Sequence, residues 1–169
     1  MPEIAMGALT NNGSVLLARR SPWRRTHPDC WSLPGGHVED GEDAEAAMRR
    51  EMMEEIGVTP ERWQFAAKFV RQGQYDASAT FHIYRVDQGR GFPRLFGGEH
   101  TELRWFSAAA IECETELALP ELGKFLTSLT VQQSSKNQTA SRQPASAQGA
   151  DYEQSFQRAE LLVRERDQR

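Results

Sequence analysis

An α/β domain is the fold class this sequence predicts, and three observations predict it. Short stretches rich in apolar and β-favouring residues, separated by turn residues, open the chain. One run of strong helix formers, "DAEAAMRREMMEEI" at 43–56, follows them. Two longer β-rich stretches then come after the helix.

"IAMGALT" and "SVLLARR", joined by "NNG", read as a β-hairpin. "SPWRRTHPDC" is a loop because two prolines and several charged groups break any period. "WSLPGGHVEDGE" reads as a short strand, a Pro-Gly-Gly turn and a second extended piece ended by Asp40-Gly41. The helix over 43–56 carries acidic residues in its first turn and Gly57 as its stop. "WQFAAKFVRQG" and "ASATFHIYRVD" are strands, "GRGFPRLFGGEHTE" a glycine-rich loop and "LRWF" a further strand. Ser107 suits the N-cap of a short helix through Ile111, and Pro120 opens another with Leu122, Phe125 and Leu129 at helical spacing.

The chain is expected to hold one domain over 1–131, a flexible linker over 132–150 and an amphipathic helix over 151–169. The linker is dominated by Ser, Gln and Ala and lacks the side chains that offset ordering entropy. In the last stretch Tyr152, Phe156, Ala159 and Val163 share one helical face. That face is expected to dock on the body or pair with another chain, a homodimer being one such arrangement.

Lys plus Arg number 20 and Asp plus Glu 24, a net charge of −4. That balance argues against bulk nucleic acid as partner, which needs a basic footprint. It leaves room for a small phosphorylated ligand. Cys30 and Cys113 show no metal-binding or disulfide spacing and are expected to be reduced, Cys30 as a partly buried residue without a catalytic role. With no leader pattern and no long apolar run, the expectation is a cytoplasmic protein without membrane contact, in which "NQT" at Asn137 is a chance match.

The helix carries an unusual charge pattern. At about 100° per residue, Glu51 and Glu55 fall within roughly 40° of each other, with Glu54 about 60° further round. Ala44, Ala47 and Met48 occupy nearly the same sector one and two turns earlier, so the glutamates are expected to point along the body into a cleft. Met52, Met53 and Ile56 are assigned to packing. Like charges at i, i+4, near the negative end of the helix dipole, call for a counter-charge. Three carboxylates on one surface suit Mg²⁺ or Mn²⁺, hard cations that prefer oxygen ligands.

The spacing sharpens this. Gly36, Glu42, Arg50-Glu51, Met52, Glu54-Glu55, Gly57 and Val58 stand in a fixed pattern across "GHVEDGEDAEAAMRREMMEEIGV", preceded by "LPGG". The stretch resembles a complete Nudix box, the signature of the MutT-like Nudix hydrolases. The resemblance implies an α/β/α sandwich with a mixed central sheet. It also implies Mg²⁺-dependent cleavage of a nucleoside diphosphate linked to another group. A weaker similarity extends over about residues 3 to 130.

In that frame Glu51, Glu54 and Glu55 are the candidate metal ligands, joined through the resemblance by the carbonyl of Gly35. Glycines at 35 and 36 let the backbone approach the ion. Glu51 is the candidate for assisting attack by water, with Glu54 and Arg50 beside it in the catalytic group. Arg50 and Glu42 are expected to pair and brace the loop on the helix. Some family members complete the site with a carboxylate outside the box. Here Glu99 and Glu102 are available, and Glu99 is preferred because its glycine neighbours let the loop close, leaving Glu102 on the substrate side. Arg25 and His27 are the preferred ligand contacts in the arginine-rich loop, where Arg19, Arg24 and Trp23 are also in reach. Trp31 is expected in the core, and His82 either faces the substrate side of the sheet or is structural.

The leading expectation is a nucleoside triphosphate substrate, such as an oxidised dNTP, giving monophosphate and pyrophosphate. The smallness of the chain, without the added N-terminal domain of members acting on dinucleotide cofactors or nucleotide sugars, favours it. ADP-ribose, a nucleotide sugar, a dinucleoside polyphosphate and RNA 5′ ends are alternatives within the enzyme class. A non-catalytic nucleotide sensor is the rival from another class, and the intact box weighs against it.

Overall fold

The computed structural model describes residues 1–72 and 78–130. The expected linker and C-terminal helix, and the boundary at 131, lie outside the described residues. β1 (Glu3–Asn11) and β2 (Ser14–Arg20) pair antiparallel across the "NNG" turn. β3 (Trp31–Ser32) pairs antiparallel with Ala18 and Arg19 of β2, further along the edge that β1 uses. β4 (Gly35–His37) runs antiparallel to β1, so the two glycines read as a turn lie in a strand. α1 (Ala44–Ile56) follows with Asp43 as N-cap, its carboxylate accepting from the Ala46 N–H at 2.8 Å.

β5 (Thr59–Arg71) and β6 (Ala79–Arg90) form the longest antiparallel pair, and β6 runs parallel to β1. β7 (His100–Ser107) pairs with β2. α2 (Ala108–Cys113), capped by the Ser107 hydroxyl, a 3-10 turn (Pro120–Leu122) and a helical run over 123–130 complete the described chain. β5, β6 and β7 each reach beyond the stretches predicted. Thr59 and Pro60 find partners in Arg90 and Gly89, and cross-strand pairing therefore recruits residues whose own composition reads as loop.

The sheet, in the order β3-β2-β1-β6-β5, is mixed and carries a core on each face. On one face Ala5, Leu9, Leu16, Tyr84 and Val86 pack against Ala47, Met48, Met52 and Ile56 of α1. On the other Met6, Leu17, Trp31, Phe81, Ile83 and Phe106 pack against Ile111, Leu122, Leu126 and Leu129. Neighbours such as Leu16 and Leu17, or Ile83 and Tyr84, serve opposite faces, as the period of two requires. The result is the α/β/α sandwich that the resemblance implies. Trp31 is in the core, as expected, whereas Met53 is 52% exposed and does not serve packing. Among the described residues no helix is long and apolar enough to cross a membrane.

Candidate functional site

α1 presents its glutamates at three depths. Glu54 is exposed, Glu51 half-buried and Glu55 only 6% exposed. The differences follow from the helix turn: Glu55 lies between Met52 and Ile56, both fully buried. Gly57 ends the helix at φ 67, a left-handed conformation, and sends its N–H back to the Met53 carbonyl at 3.1 Å.

Arg50 is the hub of the exposed side. Its guanidinium forks onto Glu42, with Nη2 to Oε1 at 2.7 Å and Nε to Oε2 at 3.3 Å. Nη1 donates to Glu51 at 2.7 Å and to Glu54 at 3.2 Å, while Nη2 also donates to the His37 carbonyl at 3.0 Å. One side chain thus ties the loop after β4 to the helix, a geometry that a planar guanidinium can make and an ammonium cannot. The bond from Arg50 draws the Glu42 carboxyl below its usual range.

Glu55 accepts from the Gly35 N–H through Oε2 at 2.8 Å. Burial is the main reason its pKa is pushed up to about 8, with repulsion from Glu51 and Glu99 adding to it and the Gly35 bond opposing it. Glu51 is raised as well, first by burial, although the Arg50 bond pulls the other way. There is no room for a side chain on Gly36, where a Cβ would run into the Glu51 carboxylate. The backbone of β4 is therefore pressed directly against two carboxylates.

Glu99 and Glu102 part company. Glu99 adds its charge to the repulsion felt by both Glu51 and Glu55, and it pairs with Arg24 at 3.0 Å. Glu102 pairs with Arg104 at 2.6 Å, and Arg104 lies over the Trp31 ring on the opposite face of the sheet. His100, next to Glu99, packs against Glu55.

A cavity of about 230 Å³ opens on the far side of β4 from the glutamates. Ile4, Met6, Phe81 and Leu119 supply apolar walls, and Arg20, Arg24, His27, Ser32 and Arg71 supply polar groups. Gly35 and Gly36 line it too, so one short strand separates cavity from carboxylates. Arg20 spans the two regions: it lines the cavity, and its charge acts on Glu55 and Glu99. His27 approaches Arg71 at 2.8 Å. Arg25 lies instead in a separate depression with Trp23, Arg24 and Glu99. His82 pairs with Glu3 at 3.4 Å on the α1 face, away from the cavity wall formed by Phe81.

Arg20, Ser32, Arg71 and His100 are the site-lining residues that sequence reasoning missed. Arg20 had one signal, its place at the end of a strand running into the arginine-rich loop. The other three are brought in by strand pairing alone.

Among the described residues no three His, Cys, Asp or Glu side chains already converge as a metal cage. The donor chemistry nonetheless fits a hard divalent cation: the carboxylates are oxygen donors, and at Glu55 burial and the charge of Glu51 outweigh the pull of Arg20 toward ionisation.

Comparison with known proteins agrees with this layout. A family model described as the NUDIX domain matches residues 1–141. A nucleoside triphosphatase NudI of Enterobacter sp. (strain 638) is 36% identical over 83 residues, covering 46% of this chain and 58% of the relative. The NudI of Escherichia coli (strain SE11) is 40% identical over 85 residues, with the same coverage. The match thus spans less than two thirds of these relatives' length. Among solved structures, the MutT NUDIX hydrolase of Burkholderia pseudomallei superposes with a TM-score of 0.65 at 25% identity, over 78% of this chain and 96% of that one. The MutT protein of Methanosarcina mazei Go1 shares the fold with a TM-score of 0.67 at 24% identity, over 78% and 94% of the two chains. With the family match covering most of its residues and the sandwich superposing on MutT proteins, the chain belongs to the NUDIX family.

Proposed function

We propose that this domain is a Nudix pyrophosphohydrolase that cleaves a nucleoside triphosphate to monophosphate and pyrophosphate. The observation that carries the reading is the pressing of β4 between a carboxylate cluster and an open cavity, with Arg20 reaching both. A nucleoside seated against Ile4, Met6 and Phe81 would bring its phosphates past Gly35 and Gly36 to the glutamates. The printed activity of the NudI relatives, nucleoside triphosphatase, supports the same substrate class.

In this reading Glu51, Glu54 and Glu55, with the Gly35 carbonyl, hold Mg²⁺ or Mn²⁺. Such an ion, when bound, neutralises adjacent phosphates and acidifies a water. Glu51 accepts the proton of the attacking water, and its raised pKa suits that task. Arg50 holds Glu51 in place and Glu42 holds Arg50. Arg20 and Arg24 draw the polyphosphate inward. Glu99 stands on the loop at the mouth, while the ion pair of Glu102 on the opposite sheet face favours a structural part for it.

A panel of nucleoside triphosphates, ADP-ribose, nucleotide sugars and dinucleoside polyphosphates, assayed with Mg²⁺ and with product identification, tests the proposal. Monophosphate plus pyrophosphate from triphosphates is expected. Preferential release of two phosphorylated organic products from sugar-linked or dinucleoside substrates would move the substrate class. No turnover of any member would return the reading to a nucleotide sensor.

A further inference from the structure

His100 is the buried polar side chain at this site that has no assigned task. Its side chain is 2% exposed, and neither ring nitrogen has a hydrogen-bond partner among the described residues. An unsatisfied buried imidazole costs on the order of 1–3 kcal/mol, so its retention asks for a reason. Its Nδ1 lies 3.8 Å from Oε1 of Glu55, whose other oxygen is already taken by the Gly35 N–H.

The backbone explains how the ring gets there. Arg19 pairs with Glu102, and Arg20 pairs with His100, leaving Thr101 as the extra residue of a β-bulge. Without the bulge, alternation would put His100 on the face of Glu102 and Arg104. The extra residue turns it to the face of α1, and re-aiming a side chain is a common use of bulges beside active sites.

We propose that His100 is a positioning residue for Glu55: Nδ1–H donates to Oε1 when the carboxylate is ionised against a divalent cation, fixing the carboxylate plane behind the metal site. This role rests on the reading of Glu55 as a metal ligand. Two hydrogen bonds, from Gly35 to Oε2 and from His100 to Oε1, then hold the group through both oxygens. An imidazole suits the position because its neutral form donates without adding charge. A lysine or arginine there would compete with the cation for the same carboxylate. Supports of this kind to ligating groups are typically worth about 10- to 100-fold in metal affinity.

The test is Mn²⁺ binding to the full chain, by calorimetry or by loss of the free-ion electron paramagnetic resonance signal, without nucleotide. His100→Phe, which keeps the ring volume and loses the donor, is expected to weaken Mn²⁺ about 10- to 100-fold. His100→Asn, whose amide nitrogen falls near the Nδ1 position, is expected to stay within about threefold of the wild type. A folded His100→Phe with wild-type affinity, or a His100→Asn as weak as His100→Phe, would overturn the role. A second measurement needs no variant: the imidazole ¹⁵N shifts of the wild type with Mg²⁺ should report the Nδ1–H tautomer, and an Nε2–H tautomer would overturn the proposal. If the wild type binds no divalent cation, the cation reading fails along with this role. Binding that survives His100→Phe removes this role alone.

Discussion

Glu55 is the residue at which burial and ionisation pull in opposite directions. Burial raises its pKa from 4.5 to about 8, so the folded chain holds a proton there that the unfolded chain releases. Stability without metal therefore falls as pH rises from about 4.5 to 8, by roughly a few kcal/mol. His100, pushed down from 6.5 to about 4, gives the opposite slope between those two values. The window from about pH 6.5 to 8 is left to the glutamate. Thermal melts in EDTA across that window should show the midpoint falling with pH, and Glu55→Gln should abolish the fall while abolishing Mn²⁺ binding. A flat wild-type profile would show that Glu55 is not buried as a neutral acid. The two outer carboxylates separate just as directly. Glu99→Gln should lower kcat at least about tenfold, at or below the low end of what a well-placed acid–base group is worth, and Glu102→Gln should stay within about threefold. Equal losses in steady-state assays would reject the distinction drawn between them.

At the scale of elements, α1 and β4 act as one unit. The hydrogen bonds of Arg50 to Glu42 and to the His37 carbonyl join the loop after β4 to the helix, and the contact of Gly36 with Glu51 leaves no slack between strand and helix. Gly36→Ala is expected to displace the Glu51 carboxylate and lose Mn²⁺ binding with the fold retained, as read by circular dichroism beside metal titration. Gly57→Ala makes the contrasting case. It should cost about 1–2 kcal/mol through the left-handed conformation, seen as a shifted denaturation midpoint. Its metal affinity should hold even though Gly57 lies two residues past Glu55, because a Cβ there meets the Phe96 ring and none of the proposed ligands. Much of this unit was legible beforehand: the helix formers over 43–56, the stop at Gly57 and the pairing of Glu42 with Arg50 are local spacings along one helix and its leading loop, whereas Asp43, read as helical, is the N-cap. The exposure of Met53 was not, since the side of the helix that meets the sheet is chosen by the strands beneath it.

At the scale of the molecule, the two faces of one sheet divide the labour. The α1 face carries the carboxylates, and the opposite face carries the cavity walls of Ile4, Met6 and Phe81, with β4 between them. The described core closes with Leu126 and Leu129, and a chain ending near Val131 is expected to keep its fold and its turnover. Loss of cooperative unfolding in that truncated chain would show that later residues complete the core.

By itself the sequence determined the class of fold, the helix with its stop at Gly57 and the family. Each of these is written in short-range periods: two for strands, 3.6 for the helix, and the fixed spacing from Gly36 to Val58. Tertiary structure alone decided which glutamate is buried, that Glu99 faces the site and Glu102 does not, and that Arg20, Ser32 and Arg71 share a cavity. It also decided, through one extra residue in β7, that His100 looks at Glu55. Burial and facing depend on which distant strands pair and in what register, and a single bulge reverses a side chain without leaving a mark in composition.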